Sequence, residues 1–138
     1  MTKEVLEQYV DLLQEIKKLD KRIERLEKQS AIVSDVVQNG YKRHAVIKGI
    51  DLYRSKKLDE IKRILEERKT MAIEQEVEIE NFIKNIHNSK TRQIFEYKYI
   101  DGLSWVQIQL LMGYKHEDGP RKIHDRYLAK LNKKIKKN

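Results

Sequence analysis

The chain has 138 residues, of which 38% are charged and only 7% aromatic, with one proline and no cysteine. This is lean for a compact globule and ordinary for long solvated helices; it excludes a disulfide framework and thiolate chemistry, and no apolar run approaches the ~20 residues of a membrane span. The net charge of +8 is concentrated, with 12 Lys and Arg against 5 Asp and Glu in residues 87–138 and 18 against 17 in residues 1–86, which points to a nucleic-acid partner for the C-terminal part.

Lys3 and Glu4 lead directly into an amphipathic helix over residues 2–29, with no signal-peptide pattern, and a reducing cytoplasm fits the absence of cysteine. Val5, Tyr9, Leu12, Ile16, Leu19, Ile23 and Leu26 alternate spacings of four and three residues. That is an unbroken coiled-coil seam, widened by Leu6 and Leu13 in its first half.

Residues 30–51 break the pattern. Ile32, Val33, Val36, Val37, Val46 and Ile47 are β-branched, with Asn39-Gly40 between the two clusters. Asn-Gly between apolar runs suits a type I′ turn, which needs positive φ at both central residues, so the expectation is a short β-hairpin tip. The alternative is a first helix that continues to Asn39 and is capped by Gly40.

Residues 52–86 resume the helical period. Leu58, Ile61, Leu65, Arg68, Ala72, Gln75, Ile79, Phe82 and Ile86 keep the spacing of three and four, with Arg68 and Gln75 as polar interruptions. Such residues cost stability and can fix register and partner number. Ile64, Met71, Val77 and Ile83 add apolar surface beside them. Helices of about 42 and 52 Å at 1.5 Å per residue are similar enough to favour an antiparallel pair within one chain. Pairing between chains is the alternative, and a homo-oligomer (dimer or higher) is expected in addition. Residues 1–86 are thus read as a helical oligomerisation region with 30–51 as connector, and 87–138 as a separate domain.

Three short helices are expected over residues 88–138. Asn88 or Ser89 caps the first, with Ile94, Phe95, Tyr99 and Ile100 facing inward. Gly102 ends it and Ser104 caps the second, whose buried side is Trp105, Ile108, Leu111 and Met112. Gly113 makes the next turn. Pro120 suits the first turn of the last helix, where a missing N–H costs nothing, and Ile123, Tyr127 or Leu128, and Leu131 pack that helix down. A basic third helix after such a turn is how a small protein places side chains in a major groove.

With Ile123, Leu128 and Leu131 inward, Arg121, Lys122, Asp125 and Arg126 point out. Arg121 can address guanine O6 and N7 with two hydrogen bonds and Lys122 more loosely, whereas Arg126 suits a phosphate. Lys115, His116, Glu117 and Asp118 form the turn; an acid there either accepts from cytosine N4 or caps the helix. Lys130, Lys133, Lys134, Lys136 and Lys137 suit backbone contact.

The same stretch resembles region 4 of the sigma factors. Arg92, Ile94-Phe95, Lys98-Tyr99, Gly102-Leu103-Ser104-Trp105, Ile108 and Gly113 fall at that pattern's arginine, apolar, basic-aromatic, GLS-aromatic, isoleucine and glycine positions. With the long helices before it, the chain is similar to the phage-encoded sigma-like regulators that include the RinA and ArpU late-gene activators. The resemblance implies a helix-turn-helix that binds double-stranded DNA, with RNA polymerase as a further partner and Arg121, Lys122, Asp125 and Arg126 at the DNA-facing positions. Three positions depart from the pattern. Gln109 stands where a small alanine is usual, the turn from Tyr114 to Gly119 is about one residue longer, and Leu110 replaces a frequent acid.

Catalytic readings find little. His44, His87, His116 and His124 show no zinc spacing with acids or cysteines, no glycine-rich phosphate loop is present, and no nucleophile has a recognisable setting. The expectation is an all-α, non-enzymatic chain without cofactor that binds duplex DNA sequence-specifically as a transcriptional regulator. A terminase small subunit, or a coiled-coil protein-interaction module, is the alternative.

Overall fold

The computed structural model describes residues 1–39 and 44–137, with side chains described for 1–29 and 52–134. Among these described residues five α-helices follow one another: α1 (Lys3–Asn39), α2 (His44–Lys84), α3 (Ser89–Phe95), α4 (Trp105–Met112) and α5 (Asp118–Lys137), with a π-helical turn, Glu96–Ile100, continuing α3. Thr2 opens α1, its hydroxyl accepting from the Val5 amide at 3.2 Å, and Glu4 sits in the first turn, where a carboxylate is favoured.

No strand occurs among the described residues, so the β-hairpin expected over 30–51 is not formed. Residues 30–39 continue α1, and 44–51 open α2. Residues 40–43, which include the glycine of the expected Asn39-Gly40 turn, lie outside the described residues. The β-branched residues at 32, 33, 36 and 37 recur at i and i+4 as well as side by side. Each costs a helix only a fraction of a kcal/mol, roughly up to 0.7, while extending an existing helix adds a hydrogen bond per residue without a new nucleus.

The chain divides into two compact units. One is Leu12–Ala72; the other joins Met1–Asp11 to Ile73–Asn138. In Leu12–Ala72 the seam residues Leu12, Ile61, Leu65 and Ala72 are buried, while Ile16, Leu19, Ile23, Leu26, Leu58 and Ile64 are half-buried. Glu15 pairs with Arg68 at 3.0 Å and Glu27 with Lys62 at 3.3 Å. Partners on α2 fall in number as those on α1 rise, so the two helices run antiparallel.

The other unit is built on aromatic packing. Leu6, Tyr9, Ile79, Ile83, Ile86, Ile94, Phe95, Tyr99, Ile108 and Leu128 are buried. Phe95 lies at its centre, with ring centroids of Phe82, Tyr99, His124 and Tyr127 at 5.8, 5.8, 4.6 and 5.6 Å. Three expected core positions are instead in solvent. Val5 is 41% exposed, because Leu6 rather than Val5 continues the stripe from Tyr9 and Leu13 toward the N-terminus. Ile100 is 41% exposed: the π-helical turn inserts a residue into the helical phase, the Asp101 amide bonding five residues back to Glu96, so Tyr99 faces in and Ile100 turns out. Leu111 is 62% exposed, since Ile108 and the half-buried Trp105 and Met112 supply the inner face of α4.

Candidate nucleic-acid interface

Local chemistry sets each helix of the C-terminal segment. The Asn88 side chain accepts from the Thr91 amide at 3.0 Å and caps α3, and Arg92 donates to the Ile86 carbonyl at 2.8 Å, satisfying a group left over beyond the end of α2. Gly102 takes φ +69 before α4. Ser104 and Gln107 form a reciprocal capping box, the Ser104 hydroxyl accepting from the Gln107 amide at 3.2 Å and the Gln107 side chain accepting from the Ser104 amide at 2.9 Å. Gly113 closes α4 in the left-handed region at φ +75.

The turn into α5 is held from both sides. Gln109 donates from its side-chain amide to the Tyr114 carbonyl at 3.2 Å, so the residue that departs from the sigma pattern holds the first residue of this turn. Gly119 lies against the Tyr114 ring, where an added Cβ would come within 2.6 Å of Cδ1. Lys90 sits over that ring, 4.9 Å from its centroid. Leu110, the third departure, is 71% exposed.

Pro120, His124 and Leu128, four residues apart, are the buried stripe of α5. At roughly 3.6 residues per turn the opposite face carries Lys122, Arg126 and Lys133, with Lys130 beside them. All four are exposed, as are Lys115, His116, Glu117, Asp118, Arg121 and Lys134. Arg121 lies at the flank of this face, its guanidinium donating to Asp118 Oδ1 at 2.7 Å. Among the proposed base readers, Lys122 therefore points most directly away from the core. Of the Arg121 guanidinium, Nη2 is engaged by Asp118.

Asp125 is placed differently from the others. It is half-buried, accepts from His124 at 2.9 Å and pairs with Lys3 of α1 at 3.5 Å. His124, only 1% exposed, stacks on Phe95 and meets the Tyr99 hydroxyl at 2.6 Å through Nε2. A carboxylate only accepts, so Nδ1 carries the imidazole proton and Nε2 accepts from Tyr99. Burial pushes His124 below its ordinary pKa; the bond and charge of Asp125 oppose that, and Lys3 and Lys98 add to it. Burial likewise lowers Lys98, whose ammonium lies 4.9 Å from the centroid of the Trp105 ring. The Tyr99 hydroxyl is raised by burial first and then by Glu7 and Asp125.

Sequence reasoning thus found the exposed cations and missed His124 and Lys3. The four-residue spacing of Pro120, His124 and Leu128 is the signal that identifies His124 as inward; nothing local marks Lys3. Among the described residues no group of three or more His, Asp or Glu is placed to hold a metal ion, and no helix is long and apolar enough to cross a membrane. A family model described as a protein of unknown function (DUF1492) matches residues 26–116, from within α1 to the turn before α5. No curated protein and no solved structure matches the chain.

Proposed function

The chain belongs to the DUF1492 family, and we propose that it is a sequence-specific double-stranded DNA-binding transcriptional regulator, phage-encoded, acting near RNA polymerase and without an enzymatic step. One observation carries this reading. α5 follows a short helix and a tightly held turn, and its solvent face presents Lys122, Arg126, Lys130 and Lys133 in a segment with an excess of seven positive charges. Such a face neutralises phosphates along a groove while the first turns of the helix address base edges. The half-buried seam of Leu12–Ala72 supports self-association, because Ile16, Leu19, Ile23 and Leu26 keep part of their apolar surface in water.

A second reading rests on Val106, Leu110 and Leu111, exposed on one short charge-free helix. Aliphatic side chains so placed suit a protein contact, as a protein-interaction module requires. Titration of a mixed-sequence duplex at increasing salt separates the two. If about five phosphates are neutralised, the logarithm of the association constant falls against the logarithm of salt with a slope near −4.5. A flat titration removes the DNA-binding reading and leaves the protein contact.

A further inference from the structure

We propose that Lys3, Asp125, His124 and Tyr99 form a proton-sensitive latch that ties the N-terminus of α1 to α5 and sets how α5 is docked. Its relevance to DNA rests on the function proposed above; the latch itself rests on geometry. Three consecutive contacts, of 3.5, 2.9 and 2.6 Å, run from Lys3 Nζ to Asp125 Oδ1, from that oxygen to His124 Nδ1, and from His124 Nε2 to the Tyr99 hydroxyl. They join three elements that are far apart in sequence, and the central group is buried between the Phe95 ring and the edge of Trp105.

Neutral His124 satisfies both ring nitrogens: Nδ1–H donates to Asp125 and Nε2 accepts from Tyr99. A proton taken from solvent goes to Nε2, which then faces the Tyr99 oxygen as a donor. The hydroxyl must turn its own hydrogen away and find another acceptor. A cleft of about 200 Å³ opens beside these groups, lined by Lys3, Glu7 and Asp11 of α1, by Lys98 and Tyr99, by Trp105 and by His124. The charged groups facing the imidazole are therefore Lys3, Glu7 and Asp11 from α1, Lys98 from the π-helical turn and Asp125 from α5; α3 and α4 set the Phe95 and Trp105 rings against it. Glu7 and Asp11 of α1 line the cleft with Tyr99, and Glu7 and Asp125 act on its hydroxyl, so protonation shifts the balance of polar contacts between α1 and α5.

The sign follows from the burial of His124. Its folded form holds the proton less well than the unfolded chain, whose histidine titrates near 6.5. The latch therefore contributes fully above that pH and weakens as pH falls below it. Lys3 and Asp125 act on the imidazole in opposite senses, and both are exposed enough to replace without opening the core.

The test follows His124 and the backbone amides of the full chain by NMR as pH is lowered. At neutral pH the Nδ1–H tautomer is expected. Amides of Lys3–Glu7 and Arg121–Leu128 should shift together with the His124 titration. Lys3→Met should move its midpoint upward and Asp125→Asn downward. An unmoved midpoint in Lys3→Met, or α1 amides indifferent to the titration, overturns the latch. Duplex affinity is measured on the same samples on both sides of the midpoint. A several-fold loss that tracks the midpoint in wild type and Lys3→Met supports the proposal. DNA affinity indifferent to pH while the amides move overturns the claim that the latch sets functional docking. If wild type binds no duplex at either pH while the amides still move together, the latch stands and the DNA-binding reading fails.

Discussion

The two compact units of this chain solve the same problem differently. Leu12–Ala72 spreads its burial along a repeating seam in which most apolar residues stay half in water, with exposed ion pairs at its sides. The unit of Met1–Asp11 and Ile73–Asn138 concentrates burial in a few side chains, with Phe95, Ile94, Ile108 and Leu6 fully out of solvent around one aromatic cluster. A repeating seam tolerates the loss of any one residue and is completed by a further helix surface. A concentrated core has single points of failure and holds a site in fixed geometry.

The sharpest way to break the comparison is to remove one ring. Phe95 touches four aromatic rings and has no exposed surface. Phe95→Ala should cost about 3–5 kcal/mol, by lost transfer energy and the cavity left behind. Leu19→Ala, in the half-buried seam, should cost less than about 2 kcal/mol. Denaturant unfolding of the full chain, followed by Trp105 fluorescence and by helical circular dichroism, reads the two units apart. Equal costs for the two substitutions would mean that the units do not differ in how they are held.

A smaller effect separates base reading from backbone holding on α5. Arg121→Ala should lower affinity for a selected site by about 1–3 kcal/mol and blur sequence preference. Lys133→Ala should weaken all duplexes alike and lower the salt slope by about one. Equal weakening of selected and scrambled duplexes by Arg121→Ala would make Arg121 a phosphate contact. Lys122, at the outward pole of the helix, would then be the base reader, with Asp118 holding Arg121 at the flank.

How far the sequence disclosed these features depends on the range of the interaction behind each. Asn88, Ser104 and Gly113 act within one turn, and each was legible as a cap or a turn; the reciprocal bond of Gln107 that completes the box at Ser104 was not read. The antiparallel direction of α1 and α2 was expected from the similar lengths of the two helical segments, and the order of the Glu15–Arg68 and Glu27–Lys62 pairs agrees with it. The strands expected within 30–39 and 44–51 failed because the β-branched residues there carry a local β preference weaker than the propagation of two established helices. Ile100 went astray because a π-helical turn shifts phase without a sequence signal. His124 and Lys3 stayed hidden because tertiary contacts define them: Tyr99 meets His124 across 25 positions, and Lys3 meets Asp125 across nearly the whole chain. The proposed DNA-facing assignment rests on charge and helix phase, which the sequence carries; the Asp118 contact that holds Arg121 at the flank is one it does not.

The smallest expected effect sharpens the comparison from the other side. Arg68 interrupts the apolar seam of α2, and its guanidinium donates to Glu15 at 3.0 Å with both side chains partly in solvent. Pairs of this exposure contribute about 0–1 kcal/mol. A double-mutant cycle over Glu15→Gln and Arg68→Met should therefore return a coupling below about 1 kcal/mol. Arg68→Leu would remove one of the two polar interruptions of that stripe, leaving Gln75, and stability should hold or rise. The cost should appear in specificity, because a polar residue in a seam restricts which registers and partner numbers satisfy it. Sedimentation of Arg68→Leu should accordingly show a broader or higher distribution of oligomers than wild type. A coupling above about 2 kcal/mol with an unchanged distribution would reverse the assignment. Arg68 would then be a strut of the seam, and Leu12–Ala72 would have a single point of failure after all, as Phe95 is for the other unit.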